Sequence, residues 1–133
     1  MYLVVDTNVI VSGLLFPGSL PSRALTKGMD IYQLAVSKQI QTEYMEVFAR
    51  KKFDPYVGLE KRIFLLEKLL HGSETFMPKE EIKVCSDSKD DMFLELAVSA
   101  KAACIISGDQ HLLELNPFRD IPILNAADFL QAS

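Results

Sequence analysis

Short continuous apolar runs alternate along the chain with longer stretches in which apolar positions recur at helical spacing. "YLVV" (2–5) is the first such run, and an uninterrupted run of this length suits a strand buried on both faces of a parallel sheet. A helix is predicted over 8–16, stopped by Pro17 and Gly18, and another over 21–27, with Pro21 suited to a first turn. "IYQLAVS" (31–37) reads as the second strand. The helix predicted over 38–51 puts Ile40, Tyr44, Val47 and Phe48 on one face. A further amphipathic helix covers 59–70 and is closed by His71 and Gly72. "ETFM" (74–77) is a short strand, and 91–102 a helix with Phe93, Leu96, Ala97 and Ala100 aligned. "CIIS" (104–107) is a strand, "DQHLLEL" a short helix, "IPIL" (121–124) an edge strand and "AADFLQA" a closing helix.

Strands alternating with helices imply βαβ units, so the expected class is α/β with a mostly parallel sheet and helices on both sides. The 133 residues, without internal repeat or linker, are expected to form one domain over 1–133. An apolar fraction of 49% excludes a disordered tail. Cys85 and Cys104 give neither a disulfide framework nor a zinc spacing, and both read as packing thiols in a reducing compartment. The N-terminus has no basic region, Asp6 interrupts its apolar run, and no stretch has the length of a membrane span, so a soluble cytoplasmic protein is expected.

The formal net charge of −4 argues against a nucleic-acid partner unless the acids gather and hold divalent cations; two bound Mg2+ would cancel it. Asp6 directly follows the first strand, and Asp109 follows "CIIS" by two residues. Parallel strands end on one edge, where ligands bind near the reversal of strand order. Glu43 lies in the first turns of the helix after the second strand, at the border of its apolar face, while Glu46 points more toward solvent. Asp91 begins the helix that feeds "CIIS"; the simplest winding is expected to put that start at the opposite edge, unless the helix runs parallel to the strands or crosses them. Acids gathered on one edge repel one another, and Mg2+, which takes oxygen ligands, is the usual remedy.

Each acid has a plainer use. Asp6 and Asp109 are good helix N-caps, and Glu43 suits a helix border. Ser88 to Asp91 has capping-box spacing, and acids in a first turn offset the helix dipole, each worth about 1 kcal/mol. The expected division places Asp91 toward the ion and Asp90 nearer the cap. "ARKKF" (49–53) is a basic cluster that complements a helix end or contacts phosphates, and Arg23 and Lys38 are similar candidates. His71 and His111 sit in unrelated contexts and make a poor acid–base pair for metal-free cleavage.

"LVVDTNVIVSGLLFPGSLPSRAL", then Glu43, then "DSKDDMFLELAVSAKAACIISGDQHLLEL" resembles the PIN domain nucleases over nearly the whole chain, most closely the branch of toxins from bacterial toxin–antitoxin pairs. The resemblance implies a three-layer α/β/α sandwich, with the Asp91 helix bringing its N-terminus to the metal edge. It implies Mg2+ or Mn2+ held by Asp6, Glu43, Asp91 and Asp109, with Asp90 and Glu95 close by and Asn8 and Ser107 orienting the acids. His111 departs from the acid that relatives often carry there. The activity so implied is endoribonuclease hydrolysis of RNA by a metal-activated water, leaving a 5′-phosphate and a 3′-hydroxyl. Arg23, Lys38, Arg50 and Lys51 would contact the RNA, a small antitoxin would restrain the enzyme, and a homodimer is expected. A receiver-type phosphotransfer domain would want a lysine where Ser107-Gly108-Asp109 stands, and an Asp-x-Asp phosphatase an acid at Asn8. A PIN-like module that only binds RNA or protein would be marked by loss of site acids, and all four are present.

Overall fold

The computed structural model describes residues 1–132. Its strands are β1 (Tyr2–Val5), β2 (Gln33–Val36), β3 (Glu74–Thr75), β4 (Cys104–Ile106) and β5 (Ile123–Leu124). Its helices are α1 (Thr7–Leu15), α2 (Leu20–Ile31), α3 (Lys38–Phe48), α4 (Leu59–His71), α5 (Ser88–Ala100), α6 (Gln110–Leu113) and α7 (Ala126–Gln131), with a 3-10 turn at Lys51–Phe53. The strands pair in the order β3-β2-β1-β4-β5, every neighbour parallel. The chain lays β1, β2 and β3 outward in one direction, then returns to place β4 and β5 on the other side of β1. Strand order therefore reverses between β1 and β4. Helices pack on the sheet in a three-layer α/β/α sandwich.

The apolar runs become the buried strands: Leu3, Val4, Val5, Leu34, Ala35, Val36, Ile105 and Ile106 are all at most 1% exposed. Each fully buried Leu, Ile or Val contributes about 1.5–3 kcal/mol. Several boundaries differ from the sequence expectation. α2 continues to Ile31, so β2 is shorter than 31–37. Gly28 does not stop α2; it allows close approach, since a Cβ there would lie 2.6 Å from Leu3 Cδ2. α3 ends at Phe48 rather than 51, and β5 is confined to two residues after Pro122, which cannot donate to a ladder. α5 begins at Ser88 because Asp87, not Ser88, is its N-cap, accepting from Lys89 N–H at 3.0 Å.

Gly13 lets α1 and α2 meet: a Cβ at this position would lie 2.3 Å from Leu25 Cδ1 and 3.2 Å from the Pro21 carbonyl oxygen. Gly13→Ala is expected to destabilise the fold by about 1–3 kcal/mol through overpacking. Urea denaturation reads this directly, and an unchanged midpoint would show that the two helices separate freely.

Among the described residues one cation lies inside. Arg62 of α4 is 1% exposed; it donates to the Val57 carbonyl at 3.0 Å and to the Asp54 carboxylate at 2.8 Å, and its Nε has no partner among the described residues. α4 thus buries Arg62 and Leu66 and leaves Leu59 and Phe64 at 45% and 63% exposed.

Candidate active site

The reversal of strand order opens a crevice between the C-terminal ends of β1 and β4, the usual ligand position in such sheets. Asp6 stands at one lip. Its backbone N–H donates to the Ile106 carbonyl at 3.0 Å, joining the two strand ends. One carboxylate oxygen accepts from Val9 N–H at 3.0 Å and caps α1. The other accepts from the Ser107 hydroxyl and from Gly108 N–H at 3.3 Å. Burial raises the pKa of Asp6, those three donors oppose the rise, and the charge of Asp109 adds to it. Ser107 also accepts from Asp109 N–H at 3.0 Å, so one hydroxyl ties both acids to the end of β4. Asp109 caps α6 by accepting from His111 N–H at 2.9 Å. The capping uses of Asp6 and Asp109 are thus both realised, and neither removes its carboxylate from the edge.

Asp90 and Asp91 reach this edge by ordinary winding, which corrects the expectation of an opposite placement. A helix joining parallel strands runs antiparallel to them, so its first turn lies over the strands' C-terminal ends. The structure also reverses the expected division between the two. Asp91 is 6% exposed and turned away, its Oδ1 accepting from Val84 N–H at 3.1 Å and Cys85 N–H at 2.8 Å. Burial would raise its pKa, but these donors outweigh burial and lower it. Asp90 is the residue that faces the other acids. Its pKa is pushed up to about 6, first by burial, then by the charge and hydrogen-bonding proximity of Asp109, with Asp87 and Asp6 adding. The physical reason is rotation: adjacent helical residues point about 100° apart, and the segment that grips Asp91 turns Asp90 into the crevice.

Glu43 of α3 is half-buried and accepts from the Thr7 hydroxyl at 3.2 Å, beside the start of α1. The neighbouring Tyr44, fully buried, donates its hydroxyl to the Val5 carbonyl and so fixes α3 against the end of β1. Its pKa is raised by burial and by the charges of Asp6 and Glu43. Sequence reasoning passed over Thr7 and Tyr44; the "DTN" after β1 was the available signal for the first, while the second read only as core. Asn8 is exposed and makes no side-chain hydrogen bond to the acids among the described residues. Glu95 accepts from Ile82 N–H at 2.8 Å.

Lys38 opens α3 directly beyond β2 and is exposed at the same edge. Arg23, Arg50 and Lys51 are exposed on α2 and beyond the end of α3, and none pairs with an acid among the described residues. His71 ends α4, ahead of β3, while His111 follows β4, so the two histidines lie toward opposite edges of the sheet. Cys104 is buried packing, as expected, but Cys85 is not in apolar surroundings. Its thiol, half-buried, is pushed up to about 12 by burial, a hydrogen bond with Asp91 and the charges of Asp91, Asp90 and Asp109.

Every candidate donor is a hard oxygen, the set that suits Mg2+ or Mn2+. No three His, Cys, Asp or Glu side chains among the described residues close on one point as a finished cage. An ion that keeps part of its water shell fits such an open set, and it would offset the charge of Asp109, which adds to the effect of burial at both Asp90 and Asp6. Among the described residues no helix is long and apolar enough to cross a membrane.

Comparison with known proteins agrees with this architecture. A family model for the PIN domain matches residues 2–111. The uncharacterized protein MJ1680 of Methanocaldococcus jannaschii is 31% identical over 119 residues, covering 85% of this chain and 74% of its own. VapBC2 from Rickettsia felis, solved bound to a DNA fragment from its promoter, aligns with a TM-score of 0.65 at 13% identity, covering 94% of this chain and 98% of that one. VapBC-1 from nontypeable Haemophilus influenzae gives 0.61 at 15% identity, covering 96% and 99%. At those identities the solved structures speak to the fold, and the family model, with its match over most of the chain, speaks to descent: the chain belongs to the PIN domain family.

Proposed function

We propose that this protein is a divalent-ion-dependent endoribonuclease whose ion, Mg2+ or Mn2+, is held by Asp6, Asp90 and Asp109, with Glu43 at the rim. The observation that carries the reading is the gathering of Asp6, Asp90 and Asp109 at the strand-order reversal, with Asp90 driven up to about 6. A divalent ion there supplies Lewis acidity and a hydroxide equivalent at neutral pH. The chain supplies the rest. Ser107, Gly108 and Val9 fix Asp6 so that its carboxylate does not rotate away. Asp109, held by Ser107 and His111 N–H, and Asp90 present the open oxygens of the set. Glu43, steadied by Thr7, is placed to orient a water and accept its proton. Lys38 is the basic residue best placed for a substrate phosphate, with Arg23, Arg50 and Lys51 further contacts for a longer strand.

The acidic composition makes metal the condition of RNA affinity. Cleavage of a pool of labelled RNAs with Mn2+, with Mg2+ and with EDTA tests the reading, and cleavage unaffected by EDTA would defeat it. The likeness to VapBC structures, with the toxin-branch resemblance of the sequence, supports a role as toxin restrained by a small antitoxin, acting in the cytoplasm. Co-purification with the product of an adjacent small gene tests that role. The exposed Leu59 and Phe64 on α4 support a homodimer, and a monomeric mass at micromolar concentration would exclude it.

The same site has a stability signature. The folded pKa of Asp90, about 6, exceeds the ordinary 3.8, so the metal-free fold loses stability as pH rises from about 4 to about 6. Ion and proton compete for that carboxylate. Millimolar Mg2+ is therefore expected to raise the melting temperature more at pH 7.5 than at pH 5. Equal shifts at both pH values in a thermal melt would remove Asp90 from the ion site.

A further inference from the structure

Between Lys79 and Cys85 the chain runs along α5 and is held by three side chains spaced one helical turn apart. Asp91 accepts from Val84 and Cys85 N–H, Glu95 from Ile82 N–H at 2.8 Å, and Ser99 from Lys79 N–H at 3.3 Å. Positions i, i+4 and i+8 share one face of a helix, so these acceptors form a straight rail. Ile82, 4% exposed, plugs into the core beneath it. A cleft of about 490 Å3 opens between this segment, the first turns of α5 and Gln39 of α3; its carboxylates are already engaged, Asp91 and Glu95 by the amides of the rail and Glu81 by Lys83 at 3.3 Å. Ser88 and Asp91 also line it, so the cleft adjoins the first turn of α5, which carries Asp90. A second hollow of about 260 Å3, bounded by Lys38, Gln39, Phe76 and Met77, shares Gln39 and extends it past the first turn of α3.

We propose that segment 79–85 is the wall of the cleft that receives the RNA strand flanking the cut phosphate, and that Glu95 is the positioning residue that fixes this wall. The proposal rests on the nuclease reading and names where its substrate lies. A strand leaving the acids along this cleft passes Lys83, which is paired with Glu81 at 3.3 Å, and meets Lys38 for a phosphate and the half-buried Phe76 and 85% exposed Met77 against which a base can stack. Glu95 borders the cleft but acts through the amide of Ile82, midway along the rail, so Glu95→Gln, which removes the charge and keeps the acceptor, separates this role from a direct effect of its charge.

The test compares wild type with Glu95→Ala, Glu95→Gln and Ser99→Ala by amide hydrogen exchange at Ile82, steady-state cleavage, and RNA affinity by fluorescence anisotropy with Ca2+ in place of Mg2+. Glu95→Ala is expected to speed Ile82 exchange by about ten-fold and to raise KM for RNA by about five-fold, with kcat within about two-fold. Glu95→Gln keeps the acceptor and restores both quantities, and Ser99→Ala, which frees only the far end at Lys79, raises KM less. An Ile82 amide as protected in Glu95→Ala as in wild type overturns the proposal, and so does a freed amide with KM and RNA affinity unchanged. If wild type cleaves no RNA, the nuclease reading fails separately; equal RNA affinities of wild type and Glu95→Ala would then overturn the wall as well.

Discussion

Asp90→Asn is expected to lower divalent-ion-dependent RNA cleavage by about 100-fold or more, the scale of losing one preorganised charge at a reacting centre. The fold should not suffer, because the substitution removes a carboxylate that Asp109 and Asp6 repel. Metal-free Asp90→Asn is expected to melt no lower than wild type at pH 7.5. Asp91 gives the opposite pattern. Its carboxylate accepts two backbone N–H groups, so Asp91→Ala is expected to cost about 2–3 kcal/mol of stability. Its pKa lies below the ordinary value, so that contribution is present above about pH 4 and is lost as pH falls through the folded pKa. Parallel assays of cleavage and urea stability on the two variants separate the roles. A collapse of stability in Asp90→Asn with unaltered cleavage would return the pair to the opposite assignment.

The second large effect comes from a surface residue. Asp54 is 55% exposed, yet among the described residues it is the only carboxylate paired with the buried guanidinium of Arg62. Removing it leaves a charge at 1% exposure with the Val57 carbonyl as its remaining partner. Such a break costs several kcal/mol in a dry interior; the partial exposure of this pair lowers the expectation for Asp54→Ala to about 2–3 kcal/mol. Arg62→Met removes the charge and keeps most of the volume, so it is expected to cost about 1 kcal/mol and to make Asp54→Ala nearly harmless in the double variant. Chemical denaturation of the four proteins closes the cycle. Additive losses would mean that the two side chains act independently.

The sheet was legible in the sequence because the buried part of each central strand carries no polar residue: "LVV", "LAV" and "CII" have no other place to go than between two layers of helices. Asp6, Ser107 and Asp109 were legible for a related reason, since each follows the end of such a strand. Glu43 was legible from its helical angle. The choice between Asp90 and Asp91 was not. Two adjacent carboxylates differ by a rotation of the helix, and that rotation is fixed by a segment at 79–85 that has no periodic pattern of its own. A helix start placed at 91 instead of 88 hid that rotation. Cys85, in "IKVC", looks apolar along the chain and becomes a neighbour of the acids only when that segment is laid on α5. Arg62 had no legible signal, because an arginine among leucines on an amphipathic helix reads as its wet face.

The rail on α5 grips main chain and leaves side chains free. Lys79, Ile82, Val84 and Cys85 are held through amide N–H groups, while the side chains at 79, 80, 81, 83 and 84 face solvent. Such a mount separates the attachment of a surface from its identity. Mutation can rewrite the exposed face while the grip persists, and the substitution it cannot absorb at a gripped position is proline, which has no N–H to offer. The segment is thus a natural place to graft a different face onto the same scaffold, whether by drift or by design.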